Sequence, residues 1–420
     1  MTRVLYVSQY FVSGDQPGGV RHWQHTRALA RAGYDVTVVT SYVQHKERTI
    51  PEEYRGKRIV RSHEDGLEVI RTYATPGYGR DMRSRMSNYG TFALWSVLAE
   101  LRIPRPDVVV ASSPPLPAAA AAAAFARTRR SRFLLEVRDL WPDSIIPMGV
   151  VKDGKVITAA RKMEHFAYRR ADRIVALTEG IRDGIVAKGI PAGRVSLITN
   201  GVDLDIAGGE HPPARIEGVP DDAFVAMYVG NHGTYSSLGT VLRAAAMLQD
   251  DPSIRVVLVG GGDQKPMLQD MARDLALTNT VFVDSVPKRE VPSYLERADL
   301  GLIPYQDMPL FAGALPNKTF DYMAAARPLL AAAPVGELTG LVDRAGCGWN
   351  VAPEDPTAMA AAIRDIAAQR DEARARGLAG REYALAEYDR QVLAARFVRL
   401  VDDLAATPRT RRKRRDHSTP

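Results

Sequence analysis

A chain of 420 residues, 45% hydrophobic and 25% charged, exceeds one ordinary core and suits two domains of about 200 residues each. Its single cysteine, Cys347, excludes an intramolecular disulfide and fits a reducing cytoplasm, and no apolar run reaches the roughly 18 residues of a membrane-spanning helix. The net charge of +7 divides into +12 over residues 1–200, −10 over 201–408 and +5 over 409–420, so the first half and the tail suit an anionic surface.

The chain opens on a strand and a polar loop, Met1-Thr2-Arg3-Val4-Leu5-Tyr6-Val7 and onward, unlike a secretion signal. Short apolar runs follow at 4–8, 36–40, 69–71, 108–112, 133–137 and 174–177, several of them continuous in Val, Ile and Leu as buried parallel strands are. Helices are predicted between them, among them 23–32, stopped by Gly33, and 156–169. The alanines at 118–124, flanked by Pro117 and by Arg127, Arg129 and Arg130, read as a soluble helix on a sheet. The pattern then starts again, with strands predicted at 224–229, 255–259, 281–283, 300–304, 329–332 and 348–351, and helix over 356–405 interrupted at Glu387-Tyr388-Asp389.

Two doubly wound α/β domains in tandem follow from this alternation. The expected division is a first domain over 1–203, a Gly- and Pro-rich linker over 204–222, a second domain over 223–385, a terminal helix over 386–405 and a disordered basic tail over 406–420. Open α/β sheets bind ligands beyond the carboxyl ends of their strands, so the natural site is the cleft between the domains.

Several loops fall at such ends. Gly18 and Gly19 follow the first strand and lead into a helix beginning Arg21-His22-Trp23, where backbone N–H groups and the helix start favour an anion. Val137-Arg138-Asp139-Leu140-Trp141-Pro142-Asp143 sets a charged pair at a strand end, although a surface ion pair fits the same residues. Val259-Gly260-Gly261-Gly262 lacks the dinucleotide fingerprint G-x-G-x-x-G and is equally a strand-to-helix turn.

Leu315-Pro316-Asn317-Lys318-Thr319-Phe320-Asp321-Tyr322 reads as a Pro-opened helix with Lys318 and Asp321 on one face. A helix start and an ammonium suit a diphosphate, and a carboxylate suits the diol of a ribose. Arg83 and Arg85, followed by Tyr89, Phe92 and Trp95, read as a basic amphipathic helix suited to a membrane surface, or as a core helix with a charged edge. The eight histidines show no metal-ligand spacing, and neither a P-loop nor G-x-S-x-G is present.

Taken in order, these segments resemble the retaining family-4 glycosyltransferases of GT-B fold over nearly the whole chain. The resemblance rests on Gly18-Gly19, Thr178-Glu179-Gly180, Asn200-Gly201-Val202-Asp203, Tyr228-Val229-Gly230, Val259–Gly262 and the segment from Leu315 to Pro328. The sequence Glu136-Val137-Arg138-Asp139-Leu140-Trp141-Pro142-Asp143 is similar to the branch that builds O-antigen and capsule saccharides. Departures from the wider family are Asn231 and Ser236 in place of Arg and Lys, and Gly313 and Asp321 at the two glutamate positions of E-x7-E.

The resemblance implies a GT-B architecture, with a C-terminal helix packing back on the first domain. It also implies retaining, metal-independent, cofactor-free transfer of a sugar from a UDP-sugar, of N-acetylhexosamine type, to an acceptor hydroxyl on a lipid-linked saccharide. Asp139, Arg138 and Lys318 take the catalytic assignments. Gly18, Gly19, Asn231, Gly262, Gly313, Ala314, Leu315, Lys318 and Asp321 take the donor, and Arg21, His22, Arg83 and Arg85 the acceptor side. The implied location is cytoplasmic, peripheral on the inner leaflet, with no nucleic-acid partner. Rival readings are transfer to a soluble natural-product acceptor, a GT-B sugar-nucleotide epimerase, and a basic nucleic-acid-binding protein suggested by the sequence pI ≈ 9.4.

Overall fold

Runs of Val, Ile and Leu bounded by polar turns become the parallel strands of two sheets in a computed structural model that describes residues 1–12, 21–43, 50–76, 82–146, 154–202, 209 and 211–407. In chain order the first half comprises β1 (Arg3–Val7), α1 (Arg21–Arg31), β2 (Asp35–Ser41), β3 (Ile59–Glu64), β4 (Leu67–Thr72), α2 (Met82–Glu100), β5 (Val108–Ser113) and α3 (Leu116–Arg129). There follow β6 (Arg132–Val137), α4 (Lys155–Arg170), β7 (Arg173–Ala176), α5 (Glu179–Ala187) and β8 (Val195–Leu197). The strand order is β3-β4-β2-β1-β5-β6-β7-β8, with only β3 antiparallel to its neighbour.

Alternate residues of β1 serve opposite faces, as the period of a strand requires. Leu5 and Val7 pack with Phe92 of α2 and Ala119 and Ala122 of α3, whereas Val4 and Tyr6 pack with Leu29 of α1. The alanine-rich α3 is a sheet-packed helix, as expected: Ala118, Ala119, Ala122, Ala123 and Ala126 are all buried.

The second half comprises β9 (Phe224–Val229), α6 (Leu238–Ala246), β10 (Ile254–Val259), α7 (Lys265–Asp274), β11 (Thr280–Val283), α8 (Val291–Arg297) and β12 (Leu300–Pro304). It continues with α9 (Asn317–Ala324), β13 (Leu329–Ala332), α10 (Glu337–Ala345), β14 (Gly348–Val351), α11 (Pro356–Ala368), α12 (Arg370–Glu387) and α13 (Arg390–Ala406). Its sheet is wholly parallel in the order β11-β10-β9-β12-β13-β14. Ala214, Ile216 and Val219, in the span expected to be linker, pack against this second sheet.

The terminal helix α13 returns to the first domain, where Leu393, Phe397, Val401 and Leu404 complete the core face under α1. The chain therefore crosses between the domains twice, and the two crossings are hydrogen-bonded to each other. Val202 N donates to Tyr388 O at 2.9 Å and Arg390 N donates to Val202 O at 3.1 Å, leaving Val202 and Asp389 bridged as parallel strands. A side chain at Gly201 would run into the carbonyl of Tyr388, which is why the N-G-V turn needs glycine there.

Of the two readings of α2, the core helix with a charged edge describes its aromatic residues. Tyr89 is 3% and Phe92 0% exposed, so these aromatic residues face the core, while Leu94 and Leu101 are exposed. Among the described residues, no helix is long and apolar enough to cross a membrane.

Candidate functional site

The order of strands reverses between β1 and β5 in one sheet and between β9 and β12 in the other, and both sets of carboxyl ends open on the same cleft. A cavity of about 490 Å³ lies there, walled from the first domain by Arg138, Asp139, Thr178, Gly180 and Asn200. From the second domain come Tyr305, Phe311, Gly313, Ala314 and Leu315. Thus the pair at the end of β6 meets the loop before α9. Arg138 is held by its own N–H donating to Ser113 O at 2.9 Å and its Nη2 donating to Pro114 O at 3.0 Å. Burial raises the Asp139 carboxyl above its ordinary range, against the lowering effect of bonds from Ser144 and the Leu140 backbone.

A second cavity of about 320 Å³ adjoins the second domain and contains Lys318 and Asp321 together with Gly230, Lys288, Arg390 and an apolar wall from Val291, Pro292 and Leu295. α9 starts directly after Pro316, as the Pro-opened reading expects, and presents both side chains to this space. Lys318 Nζ lies 3.4 Å from the centroid of the Tyr228 ring. Burial pulls its pKa from the usual lysine value down to about 7, with Asp321 acting the other way. Tyr228 is fixed in turn, its hydroxyl donating to Asn231 O at 2.7 Å and pairing with the Ser236 hydroxyl at 2.9 Å. Burial likewise raises the Asp321 carboxyl, and Arg390, Lys288 and Lys318 each pull it back. Three cations around one carboxylate leave the pocket positive, suited to a polyanion with a hydroxyl-bearing end.

Other expected site residues lie elsewhere. Asn231 and Gly262 meet where the loops after β9 and β10 touch: a Cβ on Gly262 would stand 2.8 Å from Asn231 Oδ1 and 2.5 Å from His232 O. Neither belongs to the walls of the two cavities. Gly18 and Gly19 lie outside the described residues.

Arg21 and His22, expected on the acceptor side, both have internal partners, and Arg21 also lines a small cavity with Asn200, Asn317 and Arg390. Arg21 bonds to Glu136 at 3.1 Å, to Ile198 O at 2.8 Å and to Thr199 O, and His22, 3% exposed, pairs with the Tyr6 hydroxyl at 2.9 Å. An apolar-periodic helix has to bury one side, and in α1 that side carries the histidines. Arg83 is exposed and Arg85 half-buried on the first turn of α2, away from both cavity walls. Sequence reasoning missed Lys288 and Arg390. Nothing local marks either, because only the return of α13 brings Arg390 to the second domain's pocket.

Comparison with known proteins agrees with this geometry. Residues 18–201 match the model of a glycosyl transferase 4-like domain and residues 223–369 that of glycosyl transferases group 1. The chain is 26% identical to the putative colanic acid biosynthesis glycosyl transferase WcaI of Escherichia coli K12, covering 80% of this chain and 85% of that one. Among solved structures it resembles sucrose-phosphate synthase from Thermosynechococcus elongatus, with a TM-score of 0.72 and 19% identity over 97% of this chain and 100% of the other. It also resembles Anabaena HepE solved with UDP-glucose, with a TM-score of 0.68 and 15% identity over 96% and 100%. With two matched domains in tandem, a cleft between their strand ends and the same fold in solved glycosyltransferases, the chain belongs to the glycosyltransferases of GT-B fold, with a 4-like first domain and a group 1 second domain.

Proposed function

We propose that this glycosyltransferase moves a sugar, of N-acetylhexosamine type, from a UDP-sugar to a hydroxyl of a lipid-linked saccharide, with retention at the anomeric carbon and without a metal. The observation that carries the reading is the positive cavity around Lys318 and Asp321, adjoining a larger one walled by both domains. The nucleoside lies against Val291, Pro292 and Leu295, Asp321 accepts from the ribose hydroxyls, and Lys318 takes the diphosphate. Negative charge grows on that diphosphate as the glycosidic bond breaks, so a fixed cation there lowers the barrier more than it tightens substrate.

The sugar then occupies the larger cavity, where Arg138 and Asp139 face it or the incoming hydroxyl. The UDP-glucose complex of HepE supports a UDP-linked donor, and the colanic acid role in the name of WcaI supports a cell-surface saccharide product. Peripheral attachment to the inner leaflet of the cytoplasmic membrane is drawn from the positive surplus of residues 1–200 and of the tail. Salt-sensitive binding to anionic liposomes tests that attachment.

The direct test of the reaction incubates the protein with a panel of UDP-sugars and a synthetic polyprenyl-diphosphate saccharide, and reads the anomeric configuration of the product by NMR. A product of inverted configuration rejects retention. Isomerised donor without any acceptor product selects the epimerase reading.

A further inference from the structure

The Thr178-Glu179-Gly180 turn opens α5 in the first domain, and it touches the second domain at three points. Thr178 Oγ1 donates to Gly313 O at 3.1 Å, and Gly180 N donates to Glu337 Oε1 at 2.6 Å. Between those bonds the two backbones meet: a Cβ on Gly180 would stand 2.8 Å from Gly313 Cα, closer than real Cβ atoms approach anything. Behind the contact, Gly336 packs on the carbonyl of Ala312, so the turn over 309–313 is held between the starts of α10 and α5. Gly313, Ala314 and Leu315 run from that turn directly into the larger cavity, opposite Arg138 and Asp139.

From this contact we infer that Glu337 is a positioning residue, which acts with the paired glycines Gly180 and Gly313 to set the second domain's cavity loop against Arg138 and Asp139. A glutamate at 313 would put a side chain at the meeting point of the domains. The glycine there permits a backbone contact that a larger residue forbids, and Glu337 supplies a carboxylate acceptor for the first N–H groups of α5. The alignment of the two halves is thereby fixed by the chain itself, beside the space where sugar and acceptor must meet. The role in turnover rests on the transferase reading above; the contact between domains does not.

Three variants test it: Glu337→Ala, Glu337→Gln and Gly180→Ala. The nucleotide-binding cavity belongs almost wholly to the second domain and contains neither Gly180 nor Glu337, so UDP affinity by calorimetry should stay within about twofold in all three, and the melting temperature should hold. Turnover is expected to fall by roughly 10- to 100-fold in Glu337→Ala and Gly180→Ala, the scale of a misplacement near 1 Å. Glu337→Gln keeps an oxygen that can accept from Gly180 N–H and should restore most of the rate. Unimpaired turnover in Gly180→Ala overturns the inference, and so does a Gln variant as slow as the Ala variant.

Small-angle scattering without any ligand separates this from failure of the transferase reading. The Ala variants should show a larger radius of gyration than the parent even if no UDP-sugar is bound or turned over. Equal radii overturn the inference whatever the substrate.

Discussion

Lys318 offers the sharpest test because its surroundings make its charge conditional. Its ammonium rests on the Tyr228 ring and is stripped of water, so its pKa is pulled to about 7. A group titrating there is about nine-tenths neutral near pH 8 and about nine-tenths charged near pH 6. A bound diphosphate favours the charged form and raises that pKa again. UDP binding should therefore take up close to one proton per site near pH 8 and almost none near pH 6. Calorimetry in two buffers of different ionisation enthalpy measures this uptake directly.

In Lys318→Met the uptake should vanish. UDP affinity should weaken by the worth of a charge-assisted hydrogen bond, about 1.5–3 kcal/mol, or roughly 10- to 150-fold. Turnover should fall further, by about 10²–10³, if the charge serves the leaving group. Undiminished proton uptake in Lys318→Met, or none in the parent near pH 8, refutes the reasoning. The sign for stability is separate: the unfolded lysine holds its proton up to its ordinary pKa while the folded one releases it at about 7, so between those values stability without ligand rises with pH.

Replacing Asp321 by Ala should split two ligands, weakening UDP by about 1.5–3 kcal/mol through loss of the ribose bonds while tightening inorganic pyrophosphate, since Lys288, Lys318 and Arg390 lose their counter-charge. Competition assays with each ligand check the split. His22, fully buried beside Glu136, has its pKa pulled down to about 3 by burial, so the fold keeps it neutral while the unfolded chain protonates it in the ordinary histidine range. Stability should fall as pH drops from that range toward 3, and His22→Gln should flatten the melting curve against pH there. Gly201→Ala drives a methyl into Tyr388 O at the double crossing and should cost about 1–3 kcal/mol, read by denaturant unfolding.

What the sequence revealed and what it hid divide along physical lines. The runs at 224–229, 300–304 and 329–332 coincide with β9, β12 and β13 because strands buried on both faces must be apolar throughout. The strands it missed lie at the edges of the first sheet. β3 reads Ile59-Val60-Arg61-Ser62-His63-Glu64 with half its surface in solvent, and β8 is three residues long. In β3 the exposed polar residues break the apolar run, and β8 is too short to show a period.

The site follows the same logic. Arg138, Asp139, Lys318 and Asp321 stand out because charge at the end of an apolar strand, or one turn into a helix after proline, has a local cost that invites a reason. Arg21 and His22 satisfied the same test and also have buried partners, since a helix start beside a strand end is where a buried carboxylate such as Glu136 collects its partners. Lys288, Glu337 and Arg390 escaped for the opposite cause: none sits in a motif that marks it, and each gains its place only from contacts distant in sequence. Arg390 shows this most fully, because its Nε donates to Gly201 O at 2.5 Å while the residue also walls the pocket of Asp321. One side chain thus joins the double crossing to the cavity of Lys318 and Asp321, through a residue whose sequence neighbours announce nothing.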